Sequence, residues 1–447
     1  MNKFFKLILG LLFLGLIVVI YLNYPKLNII TGFAAKNVCT CVFEAGRDPE
    51  TVQNGDNNFS PVNYAKSEID YDKKLVISSV FGLKSRTAIF SEGLGCILLP
   101  EDVEMLKTQE KPLRQQVFSE LPYPYGTGPA MDSIFEEINY ARLDLAITNV
   151  FQRDQNEGDT RAVLLLYKDH LIAEKYTEGF TKETKLLGWS MTKSITGTIV
   201  GILEMQGKLS RNQKDLFPEW ENDARAGISL NNLLQMNSSL KWEEDYSKIS
   251  DVTQMLFLES DMATAQLHQP LLDEPGNIWN YSSGTSNLLS GFIRDQFSGH
   301  QQYLDFWYRE LIDKIGMHSM TLEADLAGNY VGSSYSWATA RDWAKFGQLY
   351  LNRGKWNGEQ IFAESWVDYV AKPVEGSNGE YGAHFWLNAG GKYPDAPRDL
   401  YSANGFQGQH VFIIPSRDLV VVRFGLTEHP EFDVNIFLKE ILDAVKP

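Results

Sequence analysis

The pattern of apolar and polar positions divides this chain into three stretches of different character. The first is an unbroken apolar run, Leu7 to Leu22, preceded by Lys3 and Lys6. The second is polar and strand-like: Leu75 to Phe81, a turn at Gly82, Thr87 to Phe90, and a glycine-rich return to Cys96. A proline-marked segment (Pro100, Pro112, Pro122, Pro124, Pro129) then reads as a linker. The third stretch is the main body. It opens with a helix expected near Asp132–Val150, carrying Ile134, Ile138, Leu145 and Ile147. Two apolar strands, Arg161–Tyr167 and Leu171–Tyr176, flank Lys168-Asp169-His170 and predict a hairpin. A second hairpin is expected from His410–Ile414 and Leu419–Phe424, and Phe432–Val445 reads as a closing amphipathic helix. Between the hairpins the periodicity is mostly helical, from about 190 to 365. Strands at both ends with helices between them predict an α+β fold, an antiparallel sheet flanked by helices, beside a small N-terminal β-rich cap. The expected boundaries are 1–23, 24–129 and 130–447.

Charge and cysteines narrow the classes. With 41 Lys and Arg against 57 Asp and Glu, the formal charge is −16, which repels phosphate backbones, so no nucleic-acid partner is expected. The N-terminal lysines before an uncharged apolar run mark a signal-anchor or a signal peptide. Asn23-Tyr24-Pro25-Lys26 follows where a cleavage site would fall, which favours the anchor. Either form sends the body out of the cytoplasm, as a periplasmic or other extracytoplasmic protein, and the anchor form would hold it at the inner membrane. An exported chain can oxidise its cysteines. Cys39, Cys41 and Cys96 allow one bridge, Cys39–Cys96 or Cys41–Cys96.

No Gly-x-Ser-x-Gly elbow, Walker loop, dinucleotide fingerprint or His-Glu-x-x-His pattern occurs. The seven histidines (170, 268, 300, 318, 384, 410, 429) include no pair at ligand spacing, so neither a metal nor a cofactor is expected. One motif carries chemistry: Gly188-Trp189-Ser190-Met191-Thr192-Lys193. Ser and Lys three apart share a helix face. At a helix N-terminus the dipole and burial both disfavour Lys⁺, so the amine can take the serine proton. A second match, Ser238 to Lys241, ends an apolar stretch and runs into charged residues, whereas Ser190 precedes the helical face Ile195, Ile199, Ile202 and Leu203. Ser190 is therefore the expected nucleophile.

Two later segments join it, Asn280-Tyr281-Ser282-Ser283-Gly284 and Asn404-Gly405-Phe406-Gln407-Gly408-Gln409. In that order, and with Ser336–Gly347 and Tyr381–Trp386, they resemble the serine β-lactamase and penicillin-binding protein superfamily. The resemblance is to its class C-like branch of esterases, peptidases and 6-aminohexanoate-dimer hydrolases, over roughly 130–447. It implies a β-lactamase/transpeptidase-like fold with a helical subdomain. By that likeness Ser190 is acylated, Lys193 is its proton partner, and Tyr281 is the base for deacylation, as a phenolate or hydrogen-bonded to Lys193. Backbone N–H groups of Ser190 and Gln409 would form the oxyanion hole, with Gly408 admitting the substrate. Ser283, where the family usually has Asn, and Phe406, where it has Lys or His, would stand on the substrate-binding side by the same likeness. An apolar Phe406 cannot pair a carboxylate, so a small amide or ester is the expected substrate rather than a β-lactam. A non-catalytic sensor or scaffold of the same fold is the alternative, and a Ser-His-Asp hydrolase of another fold is disfavoured by the missing elbow.

Overall fold

A computed structural model describes residues 3–100, 110–153, 159–427 and 432–445. His429 and part of the expected linker, 101–109, lie outside the described residues. The chain forms two compact units. One comprises Met1–Ser91, Cys96–Gln109 and Asp245–Ser260, and the other Glu92–Gly95, Glu110–Glu244 and Asp261–Pro447. This division departs from the expected boundary at 129/130. Arg114 and its neighbours pair with the body, Arg114 donating to Asp313 at 2.8 Å. The excursion Asp245–Ser260 instead joins the N-terminal unit, where the Arg86 guanidinium donates to the Phe257 carbonyl at 2.7 Å.

The N-terminal unit is built on one helix, Lys3–Phe43. Among the described residues no single helix is long and apolar enough to cross a membrane. The bent pair Gly10–Tyr21 and Lys26–Phe43, 42° apart, passes that test only together. The two halves differ in surroundings. Leu11 to Leu14 and Val18 to Tyr21 are exposed, whereas Ala34, Ala35, Val38, Cys39 and Cys41 are fully buried. The buried half packs on a four-stranded antiparallel sheet in the order Ala65–Asp70, Leu75–Val80, Lys84–Ser91, Gly95–Leu98. The first of these strands was not expected; its Ala-Lys-Ser-Glu-Ile-Asp sequence is too polar to announce itself. Of the two allowed bridges, Cys39–Cys96 forms, and Cys41 is a buried thiol.

The body carries a six-stranded antiparallel sheet, ordered Trp386–Leu387, Tyr401–Gly405, Gln409–Ile414, Leu419–Leu426, Asp159–Tyr167, His170–Tyr176. Both expected hairpins are therefore neighbours in one sheet, joined by the pairing of Leu419–Leu426 with Asp159–Tyr167. Central strands bury both faces, which is why they read as continuous apolar runs. Leu164, Leu166, Val420 and Val422 face the larger core with Ile195, Ile199 and Leu203. Val163, Leu165, Leu419 and Val421 face the smaller one. The smaller core is closed by the helices Tyr140–Arg153 and Val434–Ala444 through Leu143, Ile147, Phe437 and Ile441. The first of these begins later than expected. Asn139 caps it through its side chain, and Ile134 is left exposed in the preceding coil.

Candidate active site

The nucleophile motif sits where a short strand, Leu186–Leu187, ends and the helix Met191–Met205 begins. Trp189 is forced into left-handed backbone, φ 46°, a rare state for a bulky residue that signals a constrained functional turn. Its neighbours hold it there. Gly188 N–H donates to the Ser336 carbonyl at 2.8 Å, and the Trp189 ring meets Tyr335 and, edge to face, Phe406. The result places Ser190 as the residue preceding the first helical turn.

One turn on, Lys193 is buried and makes three hydrogen bonds: to Ser190 Oγ (2.9 Å), Ser283 Oγ (2.9 Å) and the Ser333 carbonyl (3.0 Å). Its Nζ also lies 4.8 Å from the centre of the Tyr281 ring. Burial lowers its pKa to about 8, with the Glu244 carboxylate pulling the other way. Thus Ser190, Lys193, Tyr281 and Ser283, drawn from segments ninety residues apart, meet at one ammonium group. The competing pair does not meet: Ser238 is buried in a loop and Lys241 is exposed.

Glu244 is the site residue that sequence reasoning missed. It accepts from Ser283 Oγ at 2.5 Å, from Ser283 N–H at 2.8 Å, and from Trp242 Nε1 at 2.6 Å. The Ser283 hydroxyl therefore bridges carboxylate and amine, so Ser283 is Lys193's polar partner rather than a substrate-side residue. The one available signal was a run of acids, Glu243-Glu244-Asp245, behind a tryptophan. Such runs usually mark solvated loops.

Tyr281 sits in surroundings that act on its charge state. Burial first, then Glu244, push its phenol far above the ordinary range, against hydrogen bonds with Ser190 and Trp386 that favour ionisation. These surroundings favour the neutral phenol over the phenolate. The ring is held among Tyr381 and Trp386, which explains the value of the Tyr381–Trp386 stretch.

The third motif reaches the nucleophile because Gly405 has no side chain: a β-carbon there would lie 2.2 Å from the Gly188 carbonyl and 3.1 Å from Trp189 Cβ. Gly408 serves differently from expectation. Its φ is 80°, and a β-carbon would strike Arg423 at 2.1 Å, so it makes room for a buried guanidinium rather than for substrate. Arg423 donates to the Gly408 carbonyl at 2.7 Å and fixes the turn from behind. Gln409 also braces it. The buried side-chain amide donates to the carbonyls of Phe406, Gln407 and Gly425, so the residue does more than supply a backbone N–H. Phe406 is half-buried on Trp189 and places an aromatic edge beside the nucleophile turn. His410 is structural, stacked on Phe412 and bonded to Asn404. Among the described residues no group of His, Cys, Asp and Glu could hold a metal ion.

The sheet order and the Ser-Lys pair at the head of a buried helix define a β-lactamase/transpeptidase-like fold. The Beta-lactamase family model matches residues 152–445, and the chain belongs to that family. Within it the chain is 25% identical over 317 residues to the 6-aminohexanoate-dimer hydrolase of Paenarthrobacter ureafaciens, covering 65% of this chain and 79% of that protein. Two solved structures share the fold. EstCE1, a hydrolase with promiscuous acyltransferase activity, is 15% identical with a TM-score of 0.57, covering 69% of this chain and 99% of the other. A family VIII carboxylesterase is 14% identical with a TM-score of 0.55, covering 71% and 99%. The chain is thus a β-lactamase-fold serine hydrolase family member with esterase- and amidase-type relatives.

Proposed function

We propose that this protein is a serine hydrolase that cleaves a small neutral ester or amide through an acyl-enzyme on Ser190. The observation that carries this reading is the 2.9 Å contact between Ser190 Oγ and a buried Lys193 whose pKa is lowered to about 8. Near neutral pH a useful fraction of such an amine is unprotonated and can accept the serine proton. The alkoxide then adds to the substrate carbonyl. The oxyanion is met by the N–H groups of Ser190, at the positive end of its helix, and of Gln409. The neutral Tyr281 phenol gives its proton to the departing oxygen or nitrogen and regains one from Lys193⁺, so the amine ends the step neutral. Water repeats the sequence in reverse: it loses a proton to this pair, attacks the acyl carbon, and Ser190 is restored. Phe406 beside Trp189 supports a neutral acyl group over an anionic one.

The site of action belongs to the same proposal. Lys3 and Lys6 ahead of the exposed apolar half of the first helix support an uncleaved anchor, with the hydrolase on the extracytoplasmic side. Oxidation of Cys39 with Cys96 agrees with that compartment. A fluorophosphonate ester tests the chemistry. It should label Ser190 alone and leave Ser190→Ala unlabelled. Labelling that survives in Ser190→Ala would overturn the assignment. A panel of p-nitrophenyl esters, linear amide dimers, D-amino-acid peptides and nitrocefin then separates the substrate classes.

A further inference from the structure

The sheet of the N-terminal unit has two turns of opposite character at its two ends. The turn Tyr71-Asp72-Lys73-Lys74 is polar, and Tyr71 lies against Phe43, at the C-terminal end of the long helix. The turn Phe81-Gly82-Leu83 lies at the other end, against Tyr24, whose hydroxyl donates to the Leu83 carbonyl at 3.4 Å. Here the chain presents large apolar groups to solvent: Phe81 is 74% exposed, Leu83 58% and Tyr64 54%, with the Phe81 and Tyr64 rings 5.9 Å apart. Burial on the protein does not account for them.

Backbone geometry makes Phe81 more unusual. Phe81 and Gly82 both have positive φ, 53° and 67°, as a tight hairpin turn requires. Asn, Asp or Gly satisfies that requirement easily, whereas a phenylalanine meets its own β-carbon clash there. A strained, exposed aromatic residue is a feature that needs a use.

The long helix indicates the use. Beyond Tyr24 towards the N-terminus, Val18 to Tyr21 and Leu11 to Leu14 are apolar and exposed. The uncharged run Leu7–Leu22 measures about 24 Å at 1.5 Å per residue, shorter than the roughly 30 Å of bilayer hydrocarbon. A short span is accommodated by drawing its flanking residues into the interface. Tyr24 is such a flanking residue, and the Phe81 turn is attached to it. The nearby charges suit a lipid surface: Lys84 Nζ lies 5.3 Å from the Tyr24 ring centre, and Lys66 projects from the adjoining strand end. Aromatic rings with lysines are the side chains that settle at the headgroup level.

We propose that the Phe81-Gly82-Leu83 turn, with Tyr64 and Tyr24, is a membrane-docking tip that inserts into the interface of the bilayer holding the N-terminal helix. The proposal rests on the anchor reading above. Its consequence is a second contact that fixes the tilt of the N-terminal unit at the lipid surface, where a lone helix would leave it free to swing.

The test uses the full chain reconstituted in vesicles of phosphatidylethanolamine and phosphatidylglycerol. Single cysteines replace Phe81, Leu83, Lys73 or Leu14, and each variant carries the environment-sensitive NBD fluorophore. The native bridge is kept oxidised, and buried Cys41 serves as the unlabelled background. Probes at 81 and 83 should emit blue-shifted light and lose intensity to a lipid spin-labelled near the headgroup. The probe at 73, on the polar turn, should be quenched by aqueous iodide instead. Probes at 81 and 83 that behave like the probe at 73, while the probe at 14 is quenched by lipid, would overturn the docking tip and leave the anchor standing. A probe at 14 that lipid does not quench would remove the anchor and the docking tip with it.

Discussion

Glu244→Gln tests how the buried amine is tuned, because the substitution removes a charge while keeping size and most hydrogen bonds. In the native site the carboxylate obliges the Ser283 hydroxyl to donate to it, so the Ser283 oxygen can only accept from Lys193. Both effects favour the ammonium form and hold its pKa up near 8 against the desolvation that pulls it down. The two contacts place carboxylate and amine within about 5.4 Å. At an effective dielectric near 20 that separation is worth about 3 kcal/mol, or roughly two pKa units. In the variant that attraction is lost. The glutamine amide takes the Ser283 oxygen as an acceptor and releases its proton to point at the Lys193 lone pair, which favours the neutral amine further.

With a pKa near 8, only about 1% of Lys193 is neutral at pH 6, so kcat/KM of the native enzyme should fall on the acid side. Removing Glu244 should move that acid limb down by about one to two pH units. The assay is kcat/KM for p-nitrophenyl acetate between pH 5 and 9, a substrate that does not itself titrate there. Tyr281 responds in the same direction, since Glu244 also raises its phenol. A limb that stays where it is, or moves up, would refute the view that Glu244 acts on Lys193 through its charge.

Four further outcomes follow from the same geometry. Tyr281→Phe should slow ester turnover by about 10²–10⁴-fold, the usual worth of one acid–base group, without unfolding the protein; a loss below threefold would take the phenol out of the proton path. Nitrocefin should be turned over far less efficiently than a short-chain ester, and Phe406→Lys should narrow that gap; an efficiency above about 10⁶ M⁻¹s⁻¹ for the native enzyme would reject a neutral-substrate site. Cys96→Ser should cost about 4 kcal/mol, given the 57-residue separation that the bridge closes, measured by urea unfolding of the full chain and compared with the reduced native protein. His384 is buried between Ser286 and the Leu234 carbonyl, and burial lowers its pKa to about 4. Its folded pKa lies below its unfolded one, so its contribution is complete above about pH 6.5 and is lost as pH falls towards 4, by up to about 1.4 kcal/mol per pH unit. Subtracting the same titration of His384→Gln isolates that loss from Asp325, whose raised pKa of about 7 acts with the opposite sign.

The parts of the fold that were legible in the sequence are those whose period is imposed by burial. The hairpin strands of the body bury both faces, so each shows as an apolar run between turn residues, and the closing helix shows its face because one side packs on the sheet. The strand Ala65–Asp70 was invisible because it buries little on either side, and the excursion Asp245–Ser260 because assignment to a unit depends on tertiary contacts that leave no local period. At the site, Ser190 and Lys193 were legible because both lie on one helical turn, where sequence spacing is spatial spacing. Tyr281, Ser283 and Gln409 came from the order of motifs, which the family resemblance made readable.

Glu244 marks where that reasoning stops, and the cause is physical. A carboxylate that acts through a neighbour's hydroxyl has no fixed distance in sequence from the group it influences, since the segment between Trp242 and Ser283, which includes the helix Asp251–Leu258, can have any length that returns the helix start to it. What holds Glu244 in place is the N–H of Ser283, the hydroxyl of the same residue and an indole two positions back, and only the last is local. The substitution of Ser for the family's usual Asn at 283 was the nearest clue. A hydroxyl both accepts from an amine and donates onward, so it needs an acceptor on its far side. An asparagine carbonyl that accepted from the amine would need none. Serine at that position therefore implies a partner such as Glu244, and the pair is best tested together: Ser283→Asn should make Lys193 less sensitive to Glu244→Gln than it is in the native chain, because the proton link between them is gone.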